Sequence, residues 1–302
     1  MKVIPSILRY VPIITPGFLP LFFLPLTADY YDLNKWTLLI LASLLTIVLA
    51  GIVLLSQNRF SLHWSPLATA LGFLTLAAFF STIVVSTNKS EALATPFGVP
   101  FFGALFILVI QTENNHKLQA LLAWFLSAGA GVAGLLALYQ AIGIGKALLA
   151  LPFLANPLWT PVGSSLALAS FLLLTLPISL GLAIRYFQKK EEGEGAFAAG
   201  ITAITIVGLA VTLWQISKQP VTLLSQTSGW SIFLEAIKNP LHLFFGVGPE
   251  NFLSAFTAGR PVALNNTDMW NVRFSSSSSF ILHSATTMGI AGIIGCIFFI
   301  RS

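Results

Sequence analysis

Long apolar runs recur along almost the whole chain and restrict what it can fold into. A run of about 20 apolar residues can cross a bilayer as a helix, which satisfies its own backbone hydrogen bonds where lipid offers none. Hydrophobic residues make up 56% of the 302 residues and charged residues only 8%, far below the share of about 25% in soluble domains. The sequence therefore predicts an all-α, polytopic membrane helix bundle and excludes a soluble domain.

Eight such runs are predicted to cross the membrane within one integral membrane domain that covers residues 1–302. They are residues 10–27, 36–55, 67–85, 96–111, 118–142, 164–184, 196–214 and 280–300. We expect the first run to kink, because Pro12, Pro16 and Pro20 recur there four residues apart. The basic start of this run also resembles a signal peptide, an alternative that its proline-rich core disfavours.

Small residues in the fifth run predict close helix packing. Ser127 and Gly131 lie four residues apart, as do Ala130 and Gly134. Side chains of this size let the backbones of neighbouring membrane helices approach each other. We interpret the pattern as a packing surface and not as a chemical site.

The apolar runs stop between residues 215 and 279, in a polar segment that we call the island. Its charged residues are Lys218, Glu235, Lys238, Glu250, Arg260, Asp268 and Arg273. A connection of this length is not needed to join two helices, so we expect it to carry function.

Two parts of the island are predicted to be short amphipathic helices. Apolar residues with helical spacing in the first part are Trp230, Phe233, Leu234 and Ile237. This pattern indicates a helix that lies flat on the membrane surface. A second apolar-faced segment is predicted through Phe252 and Phe256, after a turn at 246–249. These pieces either seal the bundle or form the wall of a cavity.

The distribution of basic residues predicts the orientation of the chain. With the N-terminus in the cytoplasm, the short loops on that side follow the positive-inside rule. The basic residues placed there are Lys2, Arg9, Arg59, Lys117, Arg185, Lys189, Lys190 and Arg301. The island is then a large extracytoplasmic loop.

Motifs of common soluble enzymes are absent from the sequence. The histidines are His63, His116, His242 and His283, and they lack metal-ligand spacing. No phosphate-binding loop or dinucleotide fingerprint is present. The net charge of +5 is scattered over the ends of apolar runs, which argues against a nucleic-acid partner. We predict no metal and no cofactor, and the single Cys296 excludes an intrachain disulfide.

Two arginines of the island suit a phosphate or diphosphate group. Arg260 and Arg273 stay charged at any physiological pH, and a planar guanidinium matches phosphate oxygens in pairs. In the cavity interpretation both side chains point inward. The alternative is that each is a lipid-headgroup anchor or a solvated loop charge.

Several segments of the island and its flanks recur in this order in a known family. The island contains S-G-W-S-I at 228–232, F-G-V-G-P-E-N-F at 245–252, G-R-P at 259–261 and W-N-V-R-F at 270–274, and G-I-A-G-I-I-G follows at 289–295. Earlier matches are P-L-F-F-L-P at 20–25, N-K-W at 34–36 and T-P-V-G-S at 160–164. The chain thereby resembles the O-antigen ligase and O-antigen polymerase family of bacterial envelope proteins.

The resemblance implies a metal-independent glycosyltransferase of the bacterial inner membrane. Such an enzyme moves a glycan from an undecaprenyl diphosphate carrier to a lipid or glycan acceptor at the outer face, in cell-envelope polysaccharide and lipopolysaccharide biosynthesis. It implies that Arg260 and Arg273 bind the diphosphate. The residues that would shape the loop are Trp230, Gly246, Gly248, Pro249 and Trp270.

The sequence departs from the family pattern in two places. Ligases of the family have His-Asn just before the eighth helix, where this chain has Ser278 and Ser279. A serine without an activating partner is a poor base, so the candidates for catalysis are Glu250, Asp268 and His283. The family's bundle also continues past the large loop, so we expect a fragment or a shortened homologue that is inactive alone.

Two other functions remain open at this point. One is a non-catalytic transporter or binding protein for a lipid-linked glycan, and the other is an inactive truncated remnant. Almost no ionisable side chain falls inside the predicted spans, which disfavours an ion channel or a transporter. The sugar, the acceptor and the choice between ligation and polymerisation are not predicted.

Overall fold

The computed structural model describes residues 3–25, 31–57, 66–94, 116–143, 159–218 and 223–301. Its helices are α1 (Val3–Phe18), α2 (Asp32–Gln57), α3 (Pro66–Val84), α4 (Lys89–Ala94), α5 (His116–Ala141), α6 (Ser165–Gln188), α7 (Glu192–Lys218), α8 (Gln226–Ala236), α9 (Pro240–Phe245), α10 (Phe252–Gly259) and α11 (Phe280–Arg301). Short 3₁₀ helices cover Leu19–Leu21 and Val262–Asn266. These ranges contain no strand, so the all-α class is confirmed for the described part of the chain.

Six of the described helices are long and apolar enough to cross a membrane, namely α2, α3, α5, α6, α7 and α11. The protein is therefore a multi-pass helical membrane protein. The first predicted run is a shorter apolar helix, Tyr10–Leu21, whose last turn at Leu19–Leu21 is a 3₁₀ turn that contains a proline. The run at 96–111 lies outside the described residues, so the total of eight spans stays a prediction.

The seventh span is longer than its sequence pattern predicted. The apolar run ends at Trp214, whereas α7 continues to Lys218, so the first residues of the island are helical. The amine of Lys218 lies 4.0 Å from the centre of the Trp214 ring. This cation–π contact stabilises the charge in the last helical turn, where a hydropathy pattern indicates a loop.

The chain divides into two compact units, each built from two segments. Unit 1 comprises Met1–Ser61 and Thr112–Val221, and unit 2 comprises Leu62–Gln111 and Thr222–Ser302. Unit 1 therefore contains α1, α2, α5, α6 and α7, and unit 2 contains α3, α4 and α8 to α11. The division does not contradict the prediction of a single integral membrane domain over residues 1–302, because a helix bundle can contain two compact parts.

Close helix packing in unit 1 occurs at the small residues of α5. A Cβ atom added to Gly208 of α7 would lie 2.6 Å from the Cα atom of Gly134. One added to Gly131 would lie 3.3 Å from a methyl group of Ile201. The predicted packing surface of α5 is confirmed at Gly134, where only the absence of a side chain on Gly208 allows the approach. Gly131 is in tight contact with the Ile201 side chain.

The island residues of unit 2 form their own apolar core. The buried members of this core are Leu224, Ile232, Val247, Phe252, Ala255, Phe256, Leu264 and Phe274. The predicted second segment is confirmed as α10, whose Phe252 and Phe256 are buried. A large polar segment can therefore have a defined structure without crossing the membrane, because enough of its apolar side chains pack against each other.

Helix α8 is the amphipathic helix that the sequence predicted, and it uses a different face for packing. It buries Ser228, Gly229 and Ile232 against unit 2, whereas Trp230 and Leu234 remain 53% and 44% exposed. Trp230 and Leu234 are thus available to a surface outside unit 2. The placement of that face on a membrane stays a prediction.

Candidate functional site

The last described helix, α11, is broken at Gly289. The backbone there has φ 62° and ψ −150°, which is outside the helical range. The Val247 and Gly248 N–H groups donate to the Thr286 and Thr287 carbonyls, at 2.9 and 3.0 Å. A break at membrane depth is tolerated only where other groups satisfy the freed backbone. The turn after α9 supplies those groups.

Two glycines make this junction possible. Gly246 has φ 70°, and its added Cβ atom would collide with the backbone of Thr287 and Met288. A Cβ atom on Gly289 would lie 2.6 Å from the carbonyl carbon of Phe244. Both positions combine a left-handed backbone with a close approach, which glycine alone adopts at low cost.

A hydroxyl of α3 completes the junction. The Ser81 side chain is fully buried, and its hydroxyl lies 2.9 Å from the Thr287 carbonyl and also contacts the Phe245 carbonyl. Helix α3, the turn after α9 and helix α11 therefore meet at the backbone carbonyls of Phe245 and Thr287. The sequence contained no signal for Ser81, because a serine inside an apolar run most often bonds its own helix.

Asn251 ties the same turn to the residues after α3. Its side-chain amide donates to the Ser86 hydroxyl at 2.6 Å and to the Pro249 carbonyl at 2.9 Å. Its carbonyl oxygen accepts from the Thr87 hydroxyl at 2.8 Å and from the Asn88 N–H at 3.3 Å. The side chain is 5% exposed, so these bonds form away from water and fix the position of residues 249 and 250.

Replacing Asn251 with aspartate is expected to lower the free energy of unfolding by about 1–3 kcal/mol. The change keeps the shape of the side chain but removes both N–H donors, and it places a carboxylate against the Pro249 carbonyl. Thermal denaturation in detergent measures the effect. The matched control is Asn239→Asp, because Asn239 caps α9 through its Oδ1 atom and aspartate caps equally well. Equal melting temperatures for the two variants would contradict the proposed role of Asn251.

A cavity of about 350 Å³ lies beside this junction in unit 2. Most of its lining is apolar, and the polar members are Glu250, His283, Ser284 and Thr287. The size is within the range of about 300–1,000 Å³ that ligand pockets occupy. An apolar pocket with a few convergent polar groups is the usual form of a small-molecule site.

Glu250 holds a strained backbone at the cavity wall. Its φ of 59° is in the left-handed region, which costs a residue with a Cβ atom about 1–2 kcal/mol. The residue is exposed and directly follows the Gly246–Pro249 turn. Strain of this kind persists where the surroundings determine the backbone, and it concentrates at functional sites.

His283 is the second ionisable group of the cavity. The Ser277 N–H donates to its Nδ1 atom at 3.4 Å, so the proton of the neutral ring is on Nε2. The imidazole also packs on Phe252, with 5.4 Å between the ring centres. Its orientation is therefore determined by the serine run on one side and by the island core on the other.

The structure brings together two of the three residues predicted for catalysis. Glu250 and His283 line the same cavity, whereas Asp268 is exposed in the turn after the second 3₁₀ helix and is not among the described residues of the lining. The Ser278 hydroxyl is buried without a hydrogen-bond partner in the described part of the chain.

The two arginines lie elsewhere in the island. An Arg260 terminal nitrogen donates to the Trp270 carbonyl, and its guanidinium carbon lies 5.7 Å from the centre of the Phe256 ring. Arg273 is exposed. Neither is among the described residues that line the cavity, so the interpretation with both side chains pointing into this cavity is not what the structure shows.

Ser284 is a cavity residue that sequence analysis missed. It is fully buried, and its hydroxyl has no hydrogen-bond partner within the described ranges. A helical serine usually donates to the carbonyl four residues earlier. Only its place in the cavity lining distinguishes Ser284 from other serines of apolar helices, so no local pattern could have identified it.

Comparison with protein-family models, with curated proteins and with solved structures finds no match for this chain. Within the described residues, no group of three or more His, Cys, Asp or Glu side chains could hold a metal ion.

Proposed function

We propose that this protein transfers a glycan from an undecaprenyl diphosphate carrier to a lipid or glycan acceptor in the membrane. The observation that carries the proposal is the cavity of unit 2, where Glu250 and His283 meet a largely apolar wall beside a broken helix. A lipid-linked donor needs both kinds of surface, because its carrier is apolar and its reacting end is polar. The resemblance to O-antigen ligases and polymerases agrees with this chemistry.

The proposed reaction assigns different roles to the two ionisable residues. The acceptor hydroxyl oxygen forms a bond to the anomeric carbon, and the bond from that carbon to the diphosphate oxygen breaks with its electron pair leaving on the diphosphate. The Glu250 carboxylate takes the acceptor proton as general base. His283, with its proton on Nε2, donates a hydrogen bond to the departing diphosphate and stabilises its charge.

Arg260 and Arg273 are assigned to the capture of the donor diphosphate. Helix α10 has eight residues, which corresponds to a length of about 12 Å. It lies between Glu250 at the cavity and Arg260 at its other end. In this proposal the arginines bind the arriving donor, and Glu250 acts on the reacting end. Arginine suits this step because its planar fork can make two bonds to one phosphate.

Loss of the arginine side chains is expected to raise KM for the donor more than it lowers kcat. Capture of the arriving donor increases the rate of donor binding and takes no part in bond breaking, where His283 contacts the diphosphate. The measurement uses a full-length version of the protein in lipid nanodiscs with an undecaprenyl diphosphate-linked glycan and a mixture of lipid and glycan acceptors. Arg260→Ala and Arg273→Ala are compared with the corresponding lysine variants, which we expect to rescue poorly.

The same assay separates the alternatives. Donor-dependent transfer that requires the arginines supports the proposed function. Arginine-dependent binding of the donor without any transfer would instead identify a non-catalytic binding protein. The absence of both binding and transfer would reject the proposal in full.

The proposed reaction requires the island to face the outside of the cell. The motive is the basic cluster at Arg185, Lys189 and Lys190, at the opposite end of α7. Single cysteines at Lys218 and Thr267, introduced after Cys296→Ser, should react with a membrane-impermeant thiol reagent on intact spheroplasts. Labelling that occurs only after lysis would show that the island lies in the cytoplasm, opposite to the predicted orientation.

A further inference from the structure

Unit 1 contains a second cleft, distinct from the cavity of unit 2 and lined by charged groups. It lies where α5 begins, α6 ends and α7 begins, and its volume is about 430 Å³. The basic residues in its lining are Lys117, Arg185 and Lys189, and its aromatic residues are Trp124 and Tyr186. We call it the basic cleft. All three helices are long and apolar enough to span a membrane, so the cleft lies at the ends of three candidate spans.

The turn between α6 and α7 holds two of the basic residues at the cleft. The Lys190 N–H donates to the Phe187 carbonyl at 3.0 Å, and the Glu191 N–H donates to the Tyr186 carbonyl at 3.1 Å. These are the two bonds of a Schellman motif, with Lys190 at φ 61° in the left-handed position. A defined turn places the last turn of α6, with Arg185 and Lys189, beside the start of α7.

The aromatic residues of the cleft offer a hydrogen-bond donor. The Trp124 indole N–H donates to the Tyr186 hydroxyl oxygen at 3.0 Å. Because Tyr186 accepts in this bond, its own hydroxyl proton is left to donate, and within the described residues no other bond uses it. A phosphate oxygen is a suitable acceptor for that proton. Tryptophan and tyrosine are also the aromatic residues enriched at headgroup depth.

An apolar depression continues from the basic cleft. It has a volume of about 440 Å³, shares Trp124, Tyr186 and Glu194 with the cleft and extends to Phe197. The Phe197 ring is 65% exposed and stacks on Trp124 with 5.7 Å between the ring centres. A ligand that occupies both spaces is therefore charged at one end and apolar at the other.

The charge of the cleft favours one negative group. Its acidic residues are Glu191 and Glu194, and Glu194 lies in the first turn of α7, where an acidic side chain stabilises the helix dipole. Arg185 lies in the last turn of the same helix as the capping residue Lys189, and two neighbouring cations at the cleft favour an anionic group. A phosphodiester has a single negative charge, and basic pockets between membrane helices recognise such headgroups.

We propose that the basic cleft binds the headgroup of an anionic phospholipid of the bilayer. Its phosphodiester lies against Arg185, Lys189 and Lys117, and its acyl chains leave along Phe197. This site is separate from the proposed glycan transfer, because all of its residues belong to unit 1.

Thermal denaturation of the purified protein in detergent tests the proposal. Dioctanoyl phosphatidylglycerol is expected to raise Tm in a concentration-dependent manner, because a ligand that binds only the folded state stabilises it. Dioctanoyl phosphatidylcholine is the zwitterionic control, and glycerol 3-phosphate is the soluble anion without acyl chains. Both are expected to leave Tm nearly unchanged.

Removal of two charges identifies the site. The variant Arg185→Gln with Lys189→Gln is expected to bind phosphatidylglycerol about 30-fold more weakly, since each basic side chain near a headgroup contributes about 1 kcal/mol. The matched control is Lys218→Gln at the other end of α7, where the amine lies on the Trp214 ring, and its Tm shift should equal that of the original protein. If the double variant does not fold without lipid, Lys117→Gln is measured in its place.

Three outcomes would overturn the proposal. An equal shift with phosphatidylcholine would show that charge is not recognised. An equal shift with glycerol 3-phosphate would assign the cleft to a soluble anion. If Lys218→Gln lost as much of the Tm shift as the double variant, lipid binding would depend on the overall charge of the protein and not on the cleft.

Discussion

Replacing Glu250 with glutamine is expected to lower the rate of glycan transfer by about 100-fold or more, with little change in stability. The amide keeps the size of the side chain but cannot accept the acceptor proton, and a positioned general base contributes about 10²–10⁴-fold. The measurement is kcat in the nanodisc assay, with the melting temperature recorded for the same preparation.

A second substitution at this position separates function from structure. Glu250→Gly is expected to abolish the same activity, and it removes the cost of the left-handed backbone, about 1–2 kcal/mol. A residue that costs stability and is needed for activity has the properties of a functional site. The control is Glu235→Gln, whose exposed carboxylate pairs with Lys238 at 2.6 Å. A surface pair of this kind contributes at most about 1 kcal/mol, so transfer should be unchanged.

Two results would reject the role of Glu250. Transfer at the original rate in Glu250→Gln would show that no proton is taken there. A large loss of stability in Glu250→Gly would show that the side chain holds the fold, in which case its position beside the cavity needs no catalytic explanation.

Replacing Gly289 with valine is expected to destabilise unit 2 strongly, by about 2–5 kcal/mol. A Cβ atom there meets the carbonyl carbon of Phe244 at 2.6 Å, and a β-branched residue at a φ of 62° is strongly disfavoured. Overpacking of this kind costs about 1–3 kcal/mol, and the backbone strain adds about 1–2 kcal/mol. Together these are a large fraction of the stability of a typical domain, about 5–15 kcal/mol.

The fraction of monodisperse protein after detergent extraction and its melting temperature measure this effect. The matched control is Gly72→Val in α3, where an added Cβ atom meets nothing within 4 Å. We expect the control to fold like the original protein. A Gly289→Val variant as stable as Gly72→Val would show that α11 does not need its break.

The features that depend on the local sequence pattern were predictable from the sequence alone. The membrane class, the all-α fold and the positions of α8 and α10 follow from hydropathy and helical periodicity, which are properties of consecutive residues. The close approach of α5 and α7 at Gly134 was predicted from side-chain size. Where the pattern failed, the reason was local as well, since Lys218 remains in α7 through its contact with the Trp214 ring.

The tertiary structure alone decided how distant segments meet. Asn251 belonged to a motif that the sequence analysis had singled out, yet its partner Thr87 lies 164 positions earlier. Glu250 and His283 were separate candidates until packing placed both at one cavity, and Lys117 joins Arg185 only because α5 packs beside α6. A sequence pattern records which face of a helix is apolar, whereas these contacts depend on which helices pack together and at what depth. The break in α11 has the same cause, because a glycine in an apolar run has no requirement to leave the helix until another backbone approaches it.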